Sequence, residues 1–171
     1  IFKANAFTYS FLVAGLVEEG FKAGAIFFVL GMTFTQKELG DIDLFGFILI
    51  GAAVSLGFAT FENIIYVMEG GLGVAIARMF TAVPMHAAFA VIMGYYIGLS
   101  KYYQGSARTE KSLKGLFYAV VLHGAYDFVL FQDDFPLLGL LIFPMIVWAF
   151  FLCRKAMQKH LDVSPFHPDR R

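Results

Sequence analysis

The sequence predicts an all-α protein, a polytopic transmembrane helical bundle of about five membrane-spanning helices. Three observations carry that expectation. Of 171 residues, 59% are hydrophobic. Only 15% are charged, against about 25% for an ordinary soluble domain. The apolar residues also come in long runs rather than in short alternating segments. A soluble chain of this length has too little interior to hide so much apolar surface, whereas a bilayer is a solvent for it. The mean hydropathy of +0.71 agrees.

The runs cover 7–34, 44–68, 72–100, 113–132 and 135–153. Each reaches the roughly 20 residues that a helix needs to cross hydrocarbon. Polar connectors separate them at 36–41, 69–71, 101–114 and 132–134. In the first and third runs, Gly20-x-x-x-Gly24 and Gly94-x-x-x-Gly98 have the spacing that lets two helices approach closely. Pro84 and Pro144 fall inside runs, where each is expected to kink a helix or free a carbonyl. Residues 1–153 therefore read as one transmembrane core, and 154–171 as a polar tail holding His160 and His167. No repeat or linker marks a second domain. The chain opens on Ile1 rather than Met and reads as part of a longer protein with upstream helices missing.

Lys101, Arg108, Lys111 and Lys114 fill one connector, and Arg154, Lys155, Lys159, Arg170 and Arg171 fill the tail. By the positive-inside rule both lie in the cytoplasm, and the two intervening helices make them agree. The acidic 132–134 connector and the base-free 69–71 connector then face outward, and Ile1 begins outside. The formal net charge is zero, which gives no footing for a nucleic-acid partner. The single cysteine, Cys153, allows no internal disulfide and reads as an apolar filler.

Against this background, certain polar residues stand out. Glu18, Glu19, Glu62 and Asp127, with Lys22 and Arg78, lie inside apolar runs, and His86 and His123 join them. One charge near the bilayer centre costs about 2.5–3.5 kcal/mol on insertion scales, so six facing lipid alone would cost roughly 15–20 kcal/mol. They must face one another or a wet cavity. Helical spacing supports convergence. Glu18 and Lys22 are four apart, as are Phe58 and Glu62, and His123 and Asp127. Arg78 and His86, eight apart, share nearly one face. Measured from the outer helix ends, Glu18, Glu62, His86, His123 and Asp127 fall about 6 to 20 Å deep. One pocket opening outward can hold them.

A carboxylate shielded from bulk water can accept a proton from a water molecule and return it. A neighbouring histidine can share that water or protonate a leaving amine. A second histidine, oriented by a carboxylate, can stabilise an oxyanion. Glu18 or Glu19, His86, and His123 with Asp127 supply these parts of a hydrolase. The same histidines with a glutamate also form a sufficient zinc ligand set, with water as fourth ligand. No zinc is the favoured reading, and both chemistries stay open at this point. Two rivals of other classes use the same residues. One is a proton-coupled transporter or channel, disfavoured by the lack of an inverted repeat. The other is a non-catalytic scaffold.

The motifs themselves resemble those of a known family. Glu18-Glu19-Gly20-Phe21-Lys22 looks like the E-E-x-x-K motif of the PrsW intramembrane protease family. Phe58-Ala59-Thr60-Phe61-Glu62-Asn63 is similar to its F-x-x-x-E-N motif, and Arg78 followed by His86 to its arginine–histidine helix. His123-Gly124-Ala125-Tyr126-Asp127 resembles its H-x-x-x-D motif. All four stand in the family's order and cover about 15–130. The resemblance implies a multi-pass protease of prokaryotic cell membranes, related to the prenyl endopeptidase and bacteriocin-processing group. Carried over, Glu18 or Glu19 and His86 activate water, His123 and Asp127 assist, and Lys22, Glu62, Asn63 and Arg78 support. The implied partner is a single-pass membrane protein in the bilayer, such as an anti-sigma factor, cut near the extracytoplasmic side. The prenyl proteases place an arginine one position beyond Lys22, so prenylated substrates are not inferred.

Overall fold

The computed structural model describes residues 5–132 and 135–162, and among these the secondary structure is helical, without strand. The first helix, α1, is a continuous run in three parts: Ala6–Thr8, a π-helical Tyr9–Glu18, and α-helical Glu19–Thr33. A short α2 follows at Gln36–Asp41. The long helices are α3 (Leu44–Phe80), α4 (Ala82–Ser100) and α5 (Gly105–Phe131). A 3₁₀ turn at Pro136–Leu141 leads into α6 (Ile142–Leu161).

Local chemistry starts these helices where they start. Thr35 and Glu38 form a capping box on α2, with Glu38 Oε2 accepting from the Thr35 amide at 2.7 Å. That bond stabilises the charged form and holds the Glu38 carboxyl below its usual range. Asp43 caps α3 by accepting from the Gly46 amide at 2.8 Å. Pro84 and Pro144 prove to be the third residues of α4 and α6. The α-helical path breaks just before each, at Thr81 and at the 3₁₀ turn, as expected of a ring that cannot continue the preceding turn.

Within α3 the chain reverses. Gly71 takes a left-handed φ of 75°, which glycine adopts without a Cβ penalty. The pairs that meet across this reversal, Ser55 with His86 and Asn63 with Arg78, are centred on Gly70–Gly71. So are Gly51 with Ala90, and Phe47 with Gly94. The 69–71 connector is therefore a hairpin bend, and the segment 72–80 continues the return arm that α4 completes after a break at Thr81.

Helix α4 is the middle of the bundle. Buried residues surround it, from Met85 and Phe89 to Met93, Gly94 and Ile97. α3, α5 and α6 pack around it, and α1 closes the side between α3 and α5. The outer surface carries exposed Phe21, Phe28, Phe61, Leu137 and Phe143, an apolar coat suited to lipid. The protein is thus a polytopic membrane bundle.

Two expectations need correction. Among the described residues, four helical stretches, not five, are long and apolar enough to cross a membrane: Leu44–Phe80, Ala82–Ser100, Gly105–Phe131 and Leu137–Leu161. The first run falls short because the π segment interrupts it and leaves 15 residues of α-helix. Nor is 154–161 a loose tail, because α6 continues to Leu161. His160 is fully buried, stacks on Tyr95 at 4.3 Å, and donates from Nδ1 to the Leu44 carbonyl at 2.9 Å. Tail positions 163–171, including His167, Arg170 and Arg171, lie outside the described residues, as do Ile1, Asp133 and Asp134.

Candidate active site

The α-helical part of α1 buries Glu19, Lys22, Ala23, Ile26 and Leu30, a three-and-four spacing that turns one face inward. That face delivers Lys22 to the centre of the cluster. Its ammonium donates to Glu19 Oε1 at 2.6 Å and to His86 Nδ1 at 2.8 Å. Glu18 Oε2 lies 3.7 Å away, and the Phe58 ring lies beneath at 4.7 Å. A lysine almost completely out of solvent requires such partners.

The lysine fixes the tautomer of His86. Because an ammonium can only donate, Nδ1 must accept, so the ring proton sits on Nε2. Nε2 in turn faces Glu62 Oε2 at 2.9 Å. Ser55 Oγ donates to the His86 carbonyl at 2.8 Å and anchors the backbone there. Glu62 is held from behind by Arg78, 3.0 Å from its Oε1. Arg78 Nε donates to Asn63 Oδ1 at 2.7 Å, and the guanidinium lies 3.8 Å over the Tyr66 ring.

On the other side, His123 Nδ1 meets Glu19 Oε1 at 2.8 Å. Its Nε2 lies 3.4 Å from Asp127 and 3.8 Å from Glu18. The expected i, i+4 pairing with Asp127 is present, but Glu19 is the nearer carboxylate. Phe89 stacks on the His123 ring at 5.0 Å and 18°, and the two histidine rings are 5.3 Å apart.

All nine sequence-selected residues thus join one connected network. It runs from Asp127 through His123, Glu19, Lys22, His86, Glu62 and Arg78 to Asn63, with Glu18 at its edge. The adjacent glutamates differ sharply. Glu19 is wholly buried and tied to two cations or donors, whereas the Glu18 side chain keeps 22% exposure and has no contact shorter than 3.7 Å among those described. Sequence reasoning missed Ser55, Tyr66 and Phe89. Tyr66 is four residues beyond Glu62 and Phe89 three beyond His86, so helical spacing from the charged residues was the available signal.

The family described as "PrsW family intramembrane metalloprotease" matches residues 2–153. The chain belongs to the PrsW family. Proteins named Protease PrsW include one from Bacillus subtilis, 37% identical over 152 residues, covering 89% of this chain and 67% of that relative. A Shouchella clausii relative is 36% identical over 140 residues, covering 81% of this chain and 62% of its own length. One from Clostridioides difficile is 34% identical over 165 residues, covering 91% of this chain and 65% of the relative. The chain therefore spans about two thirds of the PrsW proteins it matches. No solved structure matches.

The family description implies a metal, and the residues can be tested for it. Glu18, His86 and His123 offer ligand atoms within 4.8 Å of one another, the right residue types for zinc. The arrangement is less suited. Both ring nitrogens of His86 are engaged, by Lys22 and by Glu62, and the ammonium stands among the would-be ligands. A cation there would have to displace one partner and meet a like charge.

Proposed function

We propose that this chain is the core of an intramembrane endopeptidase in which Glu18 is the water-activating base. The observation that carries this reading is the partly exposed Glu18 carboxylate beside two buried histidines. Atoms up to 4.8 Å apart leave room for one water hydrogen-bonded to both, at about 2.8 Å from each. Glu18 takes a proton from that water, and the oxygen attacks the scissile carbonyl. Glu18 then passes that proton to the leaving nitrogen, while His86, held as the Nε2–H tautomer, donates a hydrogen bond beside it. His123, with carboxylates beside both nitrogens, donates to the developing oxyanion while Asp127 holds the ring. Glu19 and Lys22 position the two histidines, and Glu62, Asn63 and Arg78 hold His86 from the far side.

The substrate class is a single-pass membrane-anchored protein such as an anti-sigma factor. Cleavage falls near the extracytoplasmic side of a prokaryotic cell membrane, with the C-terminus cytoplasmic. The experiment is a proteoliposome cleavage assay with such a substrate. Glu18→Gln lowers cleavage by about 10²–10⁴-fold, the contribution of a positioned base, without lowering the unfolding temperature. Glu19→Gln lowers both. Full cleavage by Glu18→Gln would remove it as the base. The three-ligand set keeps a zinc-dependent version as the second reading. Cleavage that survives a chelator supports the metal-free mechanism, and loss restored by added zinc reverses it.

A further inference from the structure

Beside the network α1 and α5 touch. A methyl added to Gly15 would sit 3.0 Å from the Val120 carbonyl and 3.3 Å from the Gly124 amide. From Ala23 onward the two helices separate, and cavities of about 450 and 260 Å³ open between α1, α4 and the start of α5. They share Phe27, Ile97 and Arg108 as walls, which makes them two chambers of one cleft. Its inner end is apolar, at Ala23, Met93 and Leu116. Its outer end holds Lys101 and Arg108, and no carboxylate lines either chamber. Between Ala23 and Gly31 α1 advances about 12 Å, and each chamber is in or near the range of about 300–1,000 Å³ typical of ligand sites.

The bases around the mouth are not equivalent. Lys101 donates to the Gly40 and Ile42 carbonyls at 3.1 and 2.6 Å and so caps the end of α2. Lys111 lies over Tyr103 at 5.0 Å, and Lys114 over Tyr96 and Tyr118 at 5.9 Å. Arg108 pairs with no carboxylate or aromatic ring among the described residues, and it borders both chambers. A guanidinium with its planar fork free matches a phosphate through two parallel hydrogen bonds.

We propose that this cleft binds an anionic phospholipid. The headgroup phosphate pairs with Arg108 next to Lys101, and one acyl chain runs between Phe27 and Ile97 to end at Ala23. Ala23 adjoins Lys22, so the bound lipid braces the back of α1 beside the charged network. This holds whether or not the chain cleaves peptides, and the test reads binding rather than cleavage.

The test is native mass spectrometry of the detergent-purified chain with phosphatidylglycerol or phosphatidylcholine of matched acyl chains. Phosphatidylglycerol is retained at least about fivefold more strongly, the difference expected for one basic side chain facing an anionic headgroup. Arg108→Gln, on an exposed first turn, brings the ratio close to one. Leu116→Trp fills the apolar end and lowers retention of both lipids without changing their ratio. Equal retention of the two lipids by the unaltered chain overturns the proposal. Displacement of phosphatidylglycerol by inorganic phosphate makes the site one for free phosphate and overturns it too. Displacement by a single-pass peptide, whatever the headgroup, reassigns the cleft to substrate entry.

Discussion

Helices α1 and α4 carry the same small-residue spacing, and the structure treats the two stripes in opposite ways. On α4, a methyl added to Gly94 would lie 2.7 Å from the Phe47 carbonyl and 2.9 Å from the Ile48 Cα, and one on Gly98 3.3 Å from the Leu44 carbonyl. The backbone of α3 rests directly on that stripe. On α1, methyls on Gly20 and Gly24 would meet nothing within 4 Å. The reason lies in what else each helix must bury. α4 is enclosed on every side, so its stripe is covered whatever its direction. α1 has one inward face, and Lys22 and Ile26 claim it. Gly20 and Gly24 each stand two residues back, about 200° round the helix, and so face outward. Spacing permits close approach, but the direction of the costliest side chain decides which face is used.

The comparison can be broken at three strengths. Lys22→Met strikes the inner face of α1. It leaves Glu19 buried without its cation and His86 without its donor, and the expected loss is about 3–5 kcal/mol, as for other buried pairs deprived of one partner. Thermal unfolding in detergent measures it, and a stable variant would show that the charges do not set the orientation of α1. Gly94→Ala comes next. The nearest obstacle is backbone rather than a flexible side-chain tip, so the α3–α4 contact must open, at about 1–3 kcal/mol. Gly20→Ala is the mildest and has the opposite sign. With open space around it, alanine should stabilise the helix by about 0.5–1 kcal/mol. Marked destabilisation by Gly20→Ala would mean that this stripe, too, is covered in the working protein.

Much of this was legible in the amino-acid order because charge inside hydrocarbon is so costly. Glu18, Glu19, Lys22, Glu62, Arg78, His86, His123 and Asp127 could be selected on that ground alone, and they converge. The Gly70–Gly71 bend was legible as the gap between two apolar runs. What hydropathy could not convey was the shape of α1, where π-helical bonding from Tyr9 to Glu18 replaces the α-helix that an apolar run suggests. It also misjudged His160, which follows Arg154 and Lys155 and so looked like solvent-exposed tail. The buried residues Ala149, Cys153, Ala156 and His160 recur at helical intervals, so periodicity was the better guide there than polarity. The choice between Glu18 and Glu19 had no sequence signal at all. Neighbours on a helix differ by about 100°, and only the packing of α1 against α3 and α5 determines which of them is sealed in.

The reversal at Gly71 makes the two arms of the α3–α4 pair act as a ruler read outward from one zero mark. Ser55 finds His86, Asn63 finds Arg78, and Phe47 finds Gly94 because each lies at a matched distance from that mark. Adding or deleting a single residue between Gly71 and His86 would move every later graduation by about 1.5 Å and 100°. The imidazole would turn from its carboxylate and a bulky side chain would swing into the slot that Gly94 leaves, so the geometry of the charged network and helix packing share one length tolerance.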